Sequence, residues 1–195
     1  MKSKGQLTKE RILDEATKIV IQKGFQATSI SDILNATGMK KGSLYFHYSE
    51  KNVLIHAILD KVQEDFMRFL DSSISGSSPG EALNNFFDNV LKKHQEAEFI
   101  GGCIFGNTAL EMGDKCEDIS KKIGDVFDKW MQKLTEVIKS AQTSRQIRYD
   151  ISADMLAHHI VAALEGGIML SRLNKDEKSL RDCIDSLKLL IQLEK

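Results

Sequence analysis

Apolar positions recur every three or four residues along almost the whole chain, and no stretch alternates with the two-residue period of a strand. Ile12, Leu13, Ala16, Ile19 and Val20 fall on one face and predict a first helix from Thr8 to Lys23. Thr8 suits its N-cap and Gly24 its C-terminal stop. Phe25 turns back toward the same face. In Thr28–Gly38, Ser29 with Asp32 three residues on reads as a capping box for a short helix that Gly38 ends. A second short helix starts at Lys40 or Lys41 and closes near Tyr48. Two short helices around a tight Gly-containing turn, after a longer one, form a helix-turn-helix.

Leu54, Ile58, Val62, Phe66 and Phe69 mark a long helix over 51–72, about 30 Å at the usual rise. Residues 72–78 are Ser-rich and read as a loop. Ser78-Pro79-Gly80-Glu81 is a strong helix start, with Ser as cap, Pro first and Glu third. Leu83, Phe86, Phe87, Val90 and Leu91 follow. Gly101-Gly102 breaks the chain before a short helix from Ile104 to Met112. The pattern from Ile119 through Ile123, Val126, Trp130, Leu134 and Ile138 to Ala141 keeps helical spacing over six turns. A polar connection at 142–151 leads to two last helices, Ser152–Leu173 and Asp176–Leu193, joined by Asn174-Lys175. The expected fold is all-α. A three-helix unit holding the helix-turn-helix (1–50) precedes a six-helix unit (51–195).

Composition adds three things. The single proline among 195 residues agrees with a helical chain. Cys103, Cys116 and Cys183 form no Cys-x-x-Cys pair, which suits thiols in a reducing compartment. Residues 1–56 hold nine Lys/Arg against five Asp/Glu, whereas the remainder holds eighteen against twenty-three. A basic first piece on an acidic remainder points to a polyanionic partner for that piece only. No apolar run reaches 18 residues, and the first residues lack the apolar centre of a signal peptide, so the expected location is the cytoplasm and no membrane partner is expected.

No Gly-x-Ser-x-Gly, Walker loop or His-Glu-x-x-His is present, so an enzyme is not expected. A purely structural helical protein would explain the bundle but not the helix-turn-helix. His158-His159 with Asp154, and His94 with Glu98, have metal-ligand spacing but no third or fourth ligand. Neither metal nor cofactor is expected.

Gly38-Met39-Lys40-Lys41-Gly42-Ser43-Leu44-Tyr45-Phe46-His47-Tyr48, followed by Lys51 and Leu54, resembles the DNA-binding signature of the TetR family of bacterial one-component regulators. Arg11-Ile12-Leu13, Thr28-Ser29-Ile30 and Asp32-Ile33 match as well. In the second half, Gly102–Asn107 and Leu164-Glu165-Gly166-Gly167 are similar to family patterns. The resemblance implies a recognition helix whose first turns enter the major groove. Lys40, Lys41, Ser43 and Phe46 are then nearest base edges or flanking phosphates, and Gly42 permits close approach. Tyr45, His47 and Tyr48 offer polar tips to the DNA backbone, although either tyrosine ring could instead serve packing. Thr28 and Ser29, at the start of the second helix, and Lys51, at the start of the fourth, would meet phosphates. Lys40 stands where the family often has Ser or Thr as a cap. Ser49-Glu50 replaces its usual pair, which leaves either residue as the cap of the long helix.

The same resemblance implies an apolar cavity in the second half, enclosed by the fourth helix and the three after it. Phe66, Phe87, Phe105, Trp130 and Met169 are the candidate lining, for a small hydrophobic or amphipathic effector. His159 and Glu111 are candidates to pair any charge on it. Cys103 could be a sensing thiol or a buried inert one. The last two helices would form a homodimer interface through Ile160, Ala163, Leu164, Gly167, Ile184, Leu187 and Ile191. The expected function is a ligand-released repressor binding a palindromic operator as a homodimer.

Overall fold

The computed structural model describes residues 3–193, which form nine α-helices and no strand. Met1, Lys2, Glu194 and Lys195, at the outer ends of the two expected domains, lie outside the described residues. Helix α1 (Lys4–Lys23) begins one turn earlier than Thr8. Ser3 and Gln6 form a reciprocal box: Gln6 N–H donates to Ser3 Oγ at 3.2 Å and Ser3 N–H to Gln6 Oε1 at 2.7 Å. Thr8 lies inside the helix, with its hydroxyl donating to Lys4 O.

Gly24 ends α1 at φ 87°, and a Cβ there would run into the Glu111 carboxylate. Only glycine meets both demands without strain. Helix α2 (Ile30–Thr37) opens on the expected Ser29–Asp32 box. Asp32 also pairs with Lys23 at 2.8 Å, and this hydrogen bond, then those from Ser29, hold its carboxyl well below the usual range. Gly38 closes α2 in the left-handed region. The Arg11 guanidinium donates to Thr37 O and fastens α1 to that end.

Helix α3 (Lys41–His47) follows Lys40, which occupies the cap position without a side-chain bond. Helix α4 (Lys51–Ser73) follows Glu50, which does the same; Ser49 is not the cap. Helix α5 (Pro79–Glu96) uses Ser78 as cap, while the Glu81 carboxylate turns to Ser77 N–H and hydroxyl. Helices α6 (Ile104–Met112), α7 (Glu117–Thr143), α8 (Ala153–Asn174) and α9 (Lys178–Leu190) complete the chain. Helix α9 is shorter than Asp176–Leu193, because Gln192 turns into the left-handed region.

Two apolar clusters hold the molecule. One gathers Ile12, Phe25, Ile33, Leu44 and Tyr48 around Leu54 and Ile58 of α4, and runs on into Phe105, Ile119 and Ile123. The other packs α5, α7, α8 and α9 around Phe86, Phe87, Leu134, Ile160, Leu164 and Ile184. Apolar packing therefore does not break at residue 50. The first half of α4 belongs to the N-terminal cluster, while Phe66 and Met67 touch both. Among the described residues no helix is long and apolar enough to cross a membrane.

Candidate DNA-binding face and effector cavity

Helix α3 is held by its inner face. Leu44 and Tyr48 are 1% and 2% exposed, so burial fixes the helix and leaves the opposite side free. On that side Lys40, Lys41, Gly42, Ser43, Tyr45 and Phe46 all face solvent. Phe46 is 85% exposed. Lys41 Nζ lies 5.8 Å from the Tyr45 ring centre, and half-buried His47 meets the Phe46 ring edge-on at 5.2 Å.

Three expected DNA contacts are placed differently. The Tyr48 ring is core, and its hydroxyl donates inward to Lys9 O at 3.3 Å. Burial, then the nearby Asp14 charge, push its phenol pKa up. Thr28 is 1% exposed, and its hydroxyl donates to Gly24 O at 2.6 Å. Both hydroxyls donate within the small domain itself. Half-buried Lys51 donates one ammonium hydrogen to Phe25 O at 3.1 Å, which ties α4 to the turn after α1 and leaves two hydrogens. Ser29 is exposed, with its hydroxyl engaged by Asp32.

A cavity of about 300 Å³ lies among α1, α4, α5, α6, α7 and α8. Its walls are mainly apolar: Val62, Phe66, Phe69, Val90, Phe105, Trp130 and Ile168. Phe66 stands at the centre of the aromatic wall, edge-on to Trp130 at 5.2 Å and 5.3 Å from Phe105. Phe87 does not reach this space; it is fully buried against Phe86, 5.5 Å between centroids. Met169 is 57% exposed and borders an outer groove with Leu110 and Phe127. His159 faces solvent and Glu111 sits against Gln26, so neither borders the cavity.

The polar lining is Thr17, whose hydroxyl donates to Leu13 O, with His94, Lys93, Asp65, Cys103 and Glu165. Burial, helped by the Lys93 charge, pushes His94 down to about 4, so its imidazole is neutral. Burial raises Glu165, opposed by a hydrogen bond with the Cys103 thiol. Burial first, and then the Glu165 charge, push that thiol well above its ordinary value. The thiolate is the nucleophile, and this environment disfavours it. Glu165 had a signal in the sequence: it is the one charge in the apolar run from Ile160 to Leu170. Its carboxyl occupies the space that a Cβ on residue 106 would need, so the Gly102–Asn107 and Leu164–Gly167 patterns meet at Gly106 and Glu165.

The expected dimer residues are spent within the chain. Ile160, Leu164, Ile184, Leu187 and Ile191 are 3% exposed or less, as α8 packs on α9. A Cβ at Gly167 would stand 3.1 Å from Cys183 Cβ, and the Cys183 thiol donates to Ala163 O. Gly167 thus serves intrachain helix approach. The outer faces instead carry exposed Met155, Met169, Leu170 and Leu173 on α8, and Leu189 and Leu190 on α9. Of the metal-spaced residues, His158 Nδ1 is bonded to Asp154 O, and no group of three metal-binding side chains forms among the described residues.

Comparison with known proteins agrees with this architecture. Residues 12–58 match the family described as bacterial regulatory proteins, tetR family, and residues 79–187 match the tetracyclin repressor-like C-terminal domain. An uncharacterised HTH-type transcriptional regulator encoded in the lacX 3′ region of Lactococcus lactis is 29% identical, over 93% of this chain and 91% of that protein. The HTH-type transcriptional repressor DhaR of a Mycobacterium species is 22% identical, over 88% and 86%. A TetR transcriptional regulator from Chloroflexus aurantiacus superposes with a TM-score of 0.89 at 29% identity, covering 97% and 96% of the two chains. With its helix-turn-helix ahead of a helical second half, the chain belongs to the TetR family of DNA-binding, non-enzymatic transcriptional regulators.

Proposed function

We propose that this regulator is a cytoplasmic repressor that binds a palindromic operator as a homodimer and releases it when a small, mainly apolar effector enters the cavity. The observation that carries the reading is the exposed face of α3, where Lys40, Lys41, Ser43, Tyr45 and Phe46 project from a helix anchored by Leu44 and Tyr48. Lysines there neutralise phosphates, Ser43 and Phe46 meet base edges, and Gly42 lets the backbone approach. Lys51 and the free N–H groups at the start of α4 take a flanking phosphate.

The effector reading rests on the aromatic cavity walled by Phe66, Phe105 and Trp130. Dimerisation rests on the apolar outer stripe of α8, continued by Leu189 and Leu190 of α9. Two recognition helices so paired would reach half-sites one turn of DNA apart. Residues 1–50 supply the DNA-reading part and 51–195 the effector and dimer part.

The test is binding to random-sequence DNA followed by selection and sequencing. The expected product is an inverted repeat whose affinity falls steeply with salt. Recovery of no enriched motif, or of one unpaired half-site, overturns the reading.

A further inference from the structure

Two buried polar atoms among the described residues have no hydrogen-bond partner, Trp130 Nε1 and Glu165 Oε1, and both side chains line the one cavity. Buried polar atoms are almost always paired, so two orphans on one cavity call for an occupant. We infer that the effector is an uncharged, mainly aromatic or aliphatic molecule carrying a carbonyl-type acceptor for Trp130 and a hydroxyl for Glu165. This rests on the reading of the cavity as the effector site and adds the chemistry it selects.

The indole N–H donates only, so the group facing it must accept. Trp130 is 3% exposed and packs at a steep angle on Phe66, with no protein acceptor bonded to its Nε1. Glu165 is seated by the missing side chain of Gly106 and takes a hydrogen bond from the Cys103 thiol. Its Oε1 is the unpaired atom, closed off beside the cavity that the side chain lines. A hydroxyl fits there in either protonation state, donating to a carboxylate or accepting from a carboxylic acid.

A charged effector fits poorly. Next to Glu165 an anion meets a carboxyl that has no cation within its own hydrogen bonds. Lys93, the cavity's one cation, sits with its Nζ 4.4 Å over the Phe69 ring, on the exposed side of α5. His94 stays neutral at working pH, so it adds no charge to pair. A cationic effector would find the Glu165 carboxyl, whose burial favours the neutral acid, and Asp65 only at the exposed margin.

The experiment titrates the full-length protein by calorimetry with a matched series: ethylbenzene, acetophenone, 4-ethylphenol, and 3- and 4-hydroxyacetophenone. Sodium 4-ethylbenzoate and 4-ethylbenzylamine supply the charged arms. Each polar group should tighten binding by about fivefold over ethylbenzene, the worth of one net hydrogen bond. One hydroxyacetophenone isomer should bind best and both charged compounds worst. Trp130→Phe should erase the gain from the carbonyl alone, and Glu165→Leu the gain from the hydroxyl alone. Both variants should melt within a few degrees of the parent, since each removes an unpaired buried atom.

Ethylbenzene binding as tightly as the hydroxyacetophenones overturns the inference and leaves the cavity reading standing. A charged arm binding tightest overturns it likewise. Binding by no member of the series, ethylbenzene included, overturns both.

Discussion

The backbone N–H of Gln26 donates to Glu111 Oε2 at 3.0 Å, and the Gln26 side-chain amide donates to the Glu111 carbonyl. This pair clasps the turn after α1 to the last turn of α6. At the other end of α6, Cys103, Ile104 and Phe105 form part of the cavity wall. Nine residues span only about 14 Å, so in the proposed release a displacement of the wall would be passed along a short helix to the DNA-reading part. An occupant acts only through its different affinity for the two arrangements.

Glu111→Ala should therefore weaken communication more than stability. Its bonds are solvent-exposed, so the loss of folding free energy should be about 1 kcal/mol or less. Effector-free affinity for the operator should change little, while release by an effector should become less complete. Fluorescence anisotropy of labelled operator, with and without effector, measures this. Full release at an unchanged effector concentration would remove the clasp from the mechanism.

Phe46→Ala should cost operator affinity without cost to folding. The ring is 85% exposed and buries nothing in the free protein. A lost apolar contact with a thymine methyl or sugar weakens specific binding by about tenfold. Lys41→Ala should instead weaken all sequences alike and reduce the salt slope by about one. Equal slopes for the variant and the parent would exclude a phosphate contact by Lys41.

Residues on opposite sides of α8 should separate assembly from folding. Met169→Glu with Leu173→Glu, on exposed positions, should yield a folded monomer by sedimentation at micromolar concentration. Gly167→Leu forces a branched side chain between Leu180 and Cys183, and should lower stability by roughly 1–3 kcal/mol. Denaturant melts distinguish them. A dimer that survives both glutamates excludes this stripe as the interface.

Stability should fall in mild acid because of His94. Its folded-state pKa of about 4 lies below the ordinary value of 6.5, so between these pH values the unfolded chain binds more protons. The contribution is complete above pH 6.5 and disappears as pH drops toward 4, on the order of 3 kcal/mol in all. His94→Leu should flatten the profile in this window. Urea melts at several pH values check it, and parallel profiles for parent and variant would count against a buried neutral imidazole.

Much of the fold is legible in the sequence because apolar spacing, Ser caps and Gly stops agree at each helix. Helix α1 starts earlier than the pattern suggests, since Thr8 suits a cap at the edge of the apolar face while the Ser3–Gln6 box adds a polar first turn. Periodicity also says that Phe87 and Trp130 point inward but not which of them meets a void, a matter of how three other helices pack. Helix α8 is apolar on most of its circumference, so spacing alone does not tell the stripe against α9 from the stripe left outside. Tyr48 and Thr28 carry polar tips that suit DNA, and only the fold reveals that Lys9 O and Gly24 O take them.

The seat that Gly106 makes for Glu165 binds the histories of two distant positions together. Any side chain at 106 must expel the carboxyl, whereas a smaller residue at 165 leaves 106 free to grow. A lineage changing its effector would thus move the carboxyl by a single step at 106. Descendants with alanine at 106 should carry a displaced side chain at 165, and with it a taste for a different molecule.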